Sequence, residues 1–148
     1  MSSKRLDRRS FLTRSLGATA AGLAAPMIVP RHVLGGPGYT PPSEMLTRAV
    51  IGCGGRGSGF IKNNPPGGPY RTLAVCDVDE NRLRRAQDRA GDGCDAYVDF
   101  RKVLERKDID VVYIGTPPHW HALICIAAAE AGKDIYCEKP MTRFIAEG

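Results

Sequence analysis

The chain lacks the cysteine pattern of a zinc ribbon or of a disulfide-stapled secreted domain. Its five cysteines (Cys53, Cys76, Cys94, Cys125, Cys137) are odd in number and show no C-x-x-C spacing. They read as small apolar core residues, and the missing pairs point to a domain that folds in a reducing compartment. His119 and His121 stand two apart with no third ligand in the pattern, so no metal site is expected. Long hydrophobic runs are absent too. The apolar stretch Leu16 to Ala25 is too short and too rich in alanine and glycine to span a bilayer, which takes about twenty apolar residues. A basic excess is missing from the body of the chain. Residues 1–15 hold five basic side chains against one acidic, whereas the remaining 133 residues hold 16 basic against 15 acidic. The basic isoelectric point belongs to the N-terminal segment, and a nucleic-acid-binding face is not expected.

What is present begins with a leader. Arg8-Arg9-Ser10-Phe11-Leu12 is an arginine pair followed by apolar residues, and the mild apolar stretch after it suits the h-region of a secretory signal. The pair resembles the twin-arginine export motif, which is read by a receptor and carries folded cargo. Residues 1–25 are therefore expected to be an export signal with a cleavage neighbourhood at Ala24-Ala25. The implied partner is the twin-arginine machinery, and the implied location is the periplasm after folding in the cytoplasm. Residues 26–44, rich in proline and glycine, read as a linker.

From Met45 onward strand and helix patterns alternate without internal repeats, which signals a parallel sheet with crossover helices. Strands are expected at 47–51, 72–76, 96–98, 111–114 and 135–137. Helices are expected at 58–63, at 80–90 capped by Asp79, at 100–106 capped by Asp99, and at 122–131. The arginines Arg82, Arg84, Arg85 and Arg89 read as the solvated face of the second of these. The turn after the first strand, Gly52-Cys53-Gly54-Gly55-Arg56-Gly57, is spaced G-x-G-x-x-G, and Asp77 follows twenty residues after its last glycine at the tip of the second strand. This is the layout that holds a dinucleotide. Gly52 permits the tight turn, Gly54 lets the backbone approach a pyrophosphate, and Gly57 lets the next helix pack on the sheet. That helix N-terminus would face the phosphates. Asp77 can accept hydrogen bonds from ribose hydroxyls and favours NAD over NADP, since a 2′-phosphate would meet Asp77 with Asp79 and Glu80 close behind. Arg82 lies within swinging range. Arg56 either reaches the pyrophosphate or faces outward. The fold class is α/β, a Rossmann-type doubly wound parallel sheet.

Four segments in order are similar to the Gfo/Idh/MocA oxidoreductases: Val50 to Gly57, Val75 to Asp79, Gly115-Thr116-Pro117-Pro118-His119-Trp120-His121, and Glu138-Lys139-Pro140. The resemblance runs from Met45 to Met141. It implies that Gly52, Gly54, Gly55, Arg56, Gly57, Asp77, Thr116, Pro117 and Glu138 bind the cofactor and that Lys139 is catalytic. A lysine at that strand tip can donate a hydrogen bond to a developing carbonyl oxygen or share in proton transfer, and burial beside a cationic ring would favour its neutral form. Glu138 would bind ribose or position the lysine. His121 either caps the helix it opens or faces the substrate; His119 would lie on the substrate side, and Trp120 packs or walls the pocket. The family implies hydride transfer from a sugar or cyclitol hydroxyl to NAD, with a small sugar or polyol as partner. A homo-oligomeric full-length form stays open. A second α/β domain normally carries the rest of the site, so the chain is expected to be the cofactor half of a longer enzyme. Alternatives are an NAD-dependent glycoside hydrolase of the same superfamily and a non-catalytic nucleotide-binding module.

Overall fold

The structure, a computed structural model, describes Val29, Leu34, residues 36–37, 40–61 and 69–148. The expected export signal and most of the expected linker lie outside the described residues. Residues 31–148 form a compact unit. A 3₁₀ turn at Pro42–Glu44 leads into β1 (Leu46–Ile51), and a second 3₁₀ turn, Gly57–Gly59, follows the glycine segment. Then come β2 (Tyr70–Cys76), α1 (Glu80–Ala90), β3 (Asp95–Tyr97), α2 (Phe100–Leu104) and β4 (Val111–Ile114). A 3₁₀ turn at Pro118–Trp120 precedes α3 (His121–Glu130) and β5 (Asp134–Cys137), and a last 3₁₀ turn spans Ile145–Glu147.

All strands are parallel, in the order β3-β2-β1-β4-β5. The chain runs outward from β1 to β3, returns, and continues from β4 to β5 on the other side, so the order reverses between β1 and β4. In such sheets the crevice at the carboxyl ends of the strands at that reversal is where ligands bind.

The central strands are apolar on both faces, as a sheet covered on both sides requires. Ala49, Ile51, Ala74, Cys76, Val112 and Ile114 pack under α2 and α3 against Phe100, Val103, Ile124 and Ala128. Val50 and Val75 face the opposite way, against Leu83, Ala86 and Ala90 of α1 and against Cys53 and Ile61. The helix caps act locally. Asp79 Oδ1 accepts from the backbone N–H groups of Asn81 and Arg82 at 2.9 and 3.1 Å, and Asp99 accepts from Arg101 N at 2.9 Å. Gly91, with φ of +84°, ends α1.

One expected element differs. Over the described part of the helix expected at 58–63 the chain forms only the 3₁₀ turn Gly57–Gly59, closed by Phe60 N donating to Gly57 O and Ile61 N to Ser58 O. Two glycines in three residues supply little helix propensity, and the Asn-Asn-Pro-Pro run that follows gives a helix nothing to extend into.

Candidate functional site

Strand register builds the site. Ile51 pairs with Cys76 and with Ile114, and Ile114 pairs with Cys137, so four strands end level. The residue just past each end extends the ladder: Gly52 N donates to Cys76 O, Gly115 N to Ile51 O, and Glu138 N to Ile114 O. Gly52, Asp77, Gly115 and Glu138 therefore stand side by side on one edge. They line a cleft of about 820 Å³ together with Gly54, Gly55, Arg56, Thr116, Pro117, His121 and Lys139. Of the expected site residues, Gly57 and His119 are outside that lining. Val78, Val98 and Phe100 supply an apolar wall that motif reading did not find. The signal for them was faint: apolar residues directly after strands or at a helix start.

The glycine turn is shaped by contacts that only glycine permits. Gly52 has φ of +86°, and a Cβ there would lie 2.6 Å from Thr116 N. A Cβ on Gly57 would come within 1.7 Å of Gly52 O, and one on Gly115 within 2.7 Å of Gly57 Cα. Three backbones thus meet at the switch point, a tighter constraint on Gly57 than the packing of a following helix. A Cβ on Gly55 would meet nothing within 4 Å, so this part of the turn is open. Among the described residues the N–H groups of Gly54, Gly55 and Arg56 donate to no acceptor in the chain. Successive unpaired N–H groups in a turn form an anion-binding concavity. The 3₁₀ turn behind them is too short to add the helix dipole expected from the sequence.

Asp77 is 8 % exposed and is fixed by backbone donors on both oxygens. Cys53 N donates to Oδ2 at 2.7 Å, and Asp79 N donates to Oδ1 at 2.9 Å. A carboxylate has about four lone-pair directions, so each oxygen keeps acceptor capacity toward the cleft. Arg82 belongs to the cleft rather than to a merely solvated face. Its Nη1 lies 3.3 Å from where a Cβ on Gly54 would sit, and its Nε is 3.7 Å from Asp79.

Across the cleft, Glu138 is buried. Its Oε1 lies 3.6 Å from Arg56 Nη2, and its Oε2 accepts from Lys139 N at 3.3 Å. Arg56 therefore points over the cleft toward Glu138. Lys139 is exposed, so the burial expected for it is not found in this chain. His121 does not cap α3. It is 1 % exposed, with Nδ1 2.7 Å from Pro140 O and Nε2 2.8 Å from Thr116 O, which leaves neither nitrogen for a substrate. His119 and Trp120 are exposed, and Trp120 meets Phe100 edge-on at the cleft wall. Thr116 Oγ1 is buried without a hydrogen-bond partner. An orphaned hydroxyl, free N–H groups in an open turn and a backbone-held carboxylate fit the hydroxyl and phosphate groups of a dinucleotide.

The cysteines are free thiols. Burial, with the Asp77 charge adding to it, pushes Cys53 and Cys76 up to about 12. Thiols so held are packing groups, not nucleophiles.

Comparison with known proteins agrees with this geometry. Residues 46–148 match the family described as "Oxidoreductase family, NAD-binding Rossmann fold". "Glycosyl hydrolase family 109 protein 2" of Shewanella sp. (strain ANA-3) is 34% identical over 161 residues, covering 95% of this chain and 35% of that protein. "Inositol 2-dehydrogenase 1" of Saccharopolyspora erythraea is 31% identical over 99 residues, covering 66% of this chain and 29% of that protein. The crystal structure of myo-inositol dehydrogenase from Lactobacillus casei, in complex with NAD(H) and myo-inositol, superposes with a TM-score of 0.64 at 24% identity. It covers 70% of this chain and 31% of that one, and shows the shared fold. The chain thus spans about a third of the length of the curated relatives it matches. With the doubly wound sheet and the glycine cleft at its switch point, these matches show that the chain belongs to the Gfo/Idh/MocA oxidoreductase family and carries its NAD-binding Rossmann domain.

Proposed function

We propose that this chain is the nucleotide-binding part of an NAD-dependent oxidoreductase acting on a sugar or cyclitol hydroxyl. The observation that carries the reading is Asp77. It is the first residue past β2, locked by Cys53 N and Asp79 N, with its remaining lone pairs toward the cleft. Those acceptors suit the ribose diol of NAD and would repel a 2′-phosphate, although Arg82 nearby softens the penalty. Gly54, Gly55 and Arg56 would hold the pyrophosphate, and Thr116 and Pro117 would border the nicotinamide. The cofactor, when bound, supplies the hydride acceptor. Lys139 takes the proton from the substrate hydroxyl, or in the reverse direction donates one to the carbonyl oxygen. Glu138, paired with Arg56 and bonded to Lys139 N, sets the start of the turn from which that lysine projects.

Titration of the purified chain with NADH and with NADPH, followed by nicotinamide fluorescence, tests the cofactor. NADH is expected to bind at least about tenfold more tightly, from the cost of placing a phosphate against a carboxylate. No binding of either, or tighter NADPH binding, overturns the reading.

A second reading is favoured by the glycosyl hydrolase relatives: transient oxidation of the sugar drives elimination, with no net redox change. Release of the chromophore from a chromogenic glycoside without NADH accumulation would select it. Net NADH formation from a free sugar would select the dehydrogenase. If NADH binds and neither activity is found, a non-catalytic nucleotide module is the reading that remains.

Export belongs to the same proposal. What supports it is the Arg8-Arg9 pair followed by the mild apolar stretch from Leu16 to Ala25. The folded, cofactor-loaded protein would cross by the twin-arginine route and would regenerate its nicotinamide on the protein. Replacing Arg8 and Arg9 by lysine should retain the protein in the cytoplasmic fraction; an unchanged distribution rejects the route.

A further inference from the structure

We propose that Cys125 and Cys137 form a thiol pair that closes to a disulfide between α3 and β5 on exchange with a small-molecule disulfide. This site is independent of the cofactor reading above.

The backbone sets the two cysteines at one level. Cys125 follows His121 by one turn of α3, and residues four apart on a helix share a face. The His121 ring reaches the Pro140 carbonyl oxygen at 2.7 Å, so that face looks toward the end of β5. Cys137 is the last residue of β5, three before Pro140. Because α3 returns between two parallel strands, it runs opposite to β5. Stepping forward from His121 and back from Pro140 therefore descends both elements together. The side chains meet there. A hydrogen bond joins the two thiols, and both pack on the core cluster that holds Ile114, Ile124 and Ala128. Both are half-buried, so a small reagent can reach them.

The other three cysteines lack this arrangement. They are buried, with Cys53 Sγ turned to the carbonyls of Val50 and Cys76 and Cys94 Sγ to that of Asp95. No thiol faces another thiol among them.

Burial first, and then the hydrogen bond with Cys125, push the Cys137 thiol up to about 12. Cys137 therefore keeps its proton, and exchange starts at Cys125. The Cys125 thiolate attacks one sulfur of the reagent, the reagent's S–S bond breaks, and one thiol leaves carrying the proton Cys125 gave up. Cys137 then attacks the mixed disulfide at the Cys125 sulfur and expels the second thiol, which takes the Cys137 proton. Two electrons pass from the cysteine pair to the reagent, which ends as two thiols. Among the described residues β5 pairs only with β4. A covalent link to α3 fastens this outer strand, from which Glu138 and Lys139 follow directly.

The test is incubation of the full native chain with oxidised glutathione, followed by alkylation of the remaining thiols and peptide mapping by mass spectrometry. A Cys125–Cys137 link within one chain is expected, formed at least about tenfold faster than any change at Cys53 or Cys76. Glutathione retained on Cys125, two chains joined through these thiols, or a link to another cysteine overturns the proposal. Cys137→Ser is expected to hold glutathione on Cys125, whereas Cys125→Ser is expected to stay unmodified. Modification of Cys137 in the latter overturns the order of attack. If either variant does not fold, the map of the unsubstituted chain still decides whether the bond forms. The bridged chain is expected to melt at least about 4 °C above the reduced one, and an equal or lower melting temperature overturns the fastening role.

Discussion

At the scale of single residues, Asp77 and His121 are held in the same way. Each is buried at the edge of the cleft, and each is held by backbone groups of two segments, a carboxylate between two N–H donors in one case and an imidazole between two carbonyl oxygens in the other. Buried polar groups in this arrangement fix geometry because a lost partner strands the other at full desolvation cost. Replacing Asp77 by Asn leaves one acceptor oxygen and an amide that can only face an N–H. NADH affinity should fall at least about tenfold, and the preference over NADPH should shrink. Equilibrium titration of D77N with both nucleotides checks both parts, and an undiminished preference would remove Asp77 from the role. Asp77 was legible in the sequence because its spacing from the glycines is fixed by one crossover unit. The His121 arrangement was not, because Pro140 lies nineteen residues away and reaches the ring only through the pairing of β4 with β5.

At the scale of elements, the glycine turn is a three-backbone junction. Gly52 O, the Gly57 backbone and Gly115 Cα lie so close that one added methyl at Gly57 would sit 1.7 Å from Gly52 O, with no flexible side chain to move aside. Gly57→Ala is expected to destabilise the domain by about 3 kcal/mol or more, since the clash is between main chains. Gly55→Ala, which meets nothing within 4 Å, should change stability by less than about 1 kcal/mol. Paired denaturant melts measure the contrast, and similar midpoints for the two variants would refute the junction. The strands and α1 were readable because their signals are local: apolar runs, Asp79 and Asp99 as caps, Gly91 as a stop. The segment after Gly57 reads as a helix only if the family pattern outweighs its own composition of glycine followed by Asn-Pro. The part of Gly115 was hidden for another reason. A tertiary approach of two glycines leaves no periodicity in either segment.

At the scale of the whole molecule, the two ends of the sheet are held by different chemistry. The carboxyl ends form the cleft, while the amino ends are fastened by charge. Asp110 Oδ2 accepts from Thr47 Oγ1 at 2.7 Å and from Thr47 N at 2.8 Å, and Arg106 bridges Asp95 and Asp108 at 2.6 Å each. Hydrogen bonds from Thr47 hold the Asp110 carboxyl below its ordinary range, and those from Arg106 do the same for Asp108. A carboxyl lowered in the folded state stabilises fully above its unfolded value of about 3.9 and loses that contribution as pH falls through the folded value. Melting temperature should therefore be insensitive to these groups from about pH 8 to about pH 5 and should fall below about pH 4. In Asp110→Asn the melting temperature should lie below that of the parent at neutral pH, and the gap should narrow as pH drops through the acidic window. A gap constant with pH would show that Asp110 contributes by shape alone. The Thr47–Asp110 fastener gave no sequence signal, since its two residues lie 63 apart.

The level strand ends have a consequence for how this domain tolerates change in length. Every cleft residue at the sheet edge is counted from the strand it follows and not from the connection before that strand. An extra residue between α1 and β3, in the exposed Gly91–Gly93 turn, is absorbed by the loop and leaves each cleft position unmoved. An extra residue inside β4 instead turns Ile114 toward the wrong face and carries Thr116 and His121 out of alignment with Pro140. Tolerance to insertion should therefore be patterned along the chain, with silent sites between elements and null sites in the strands.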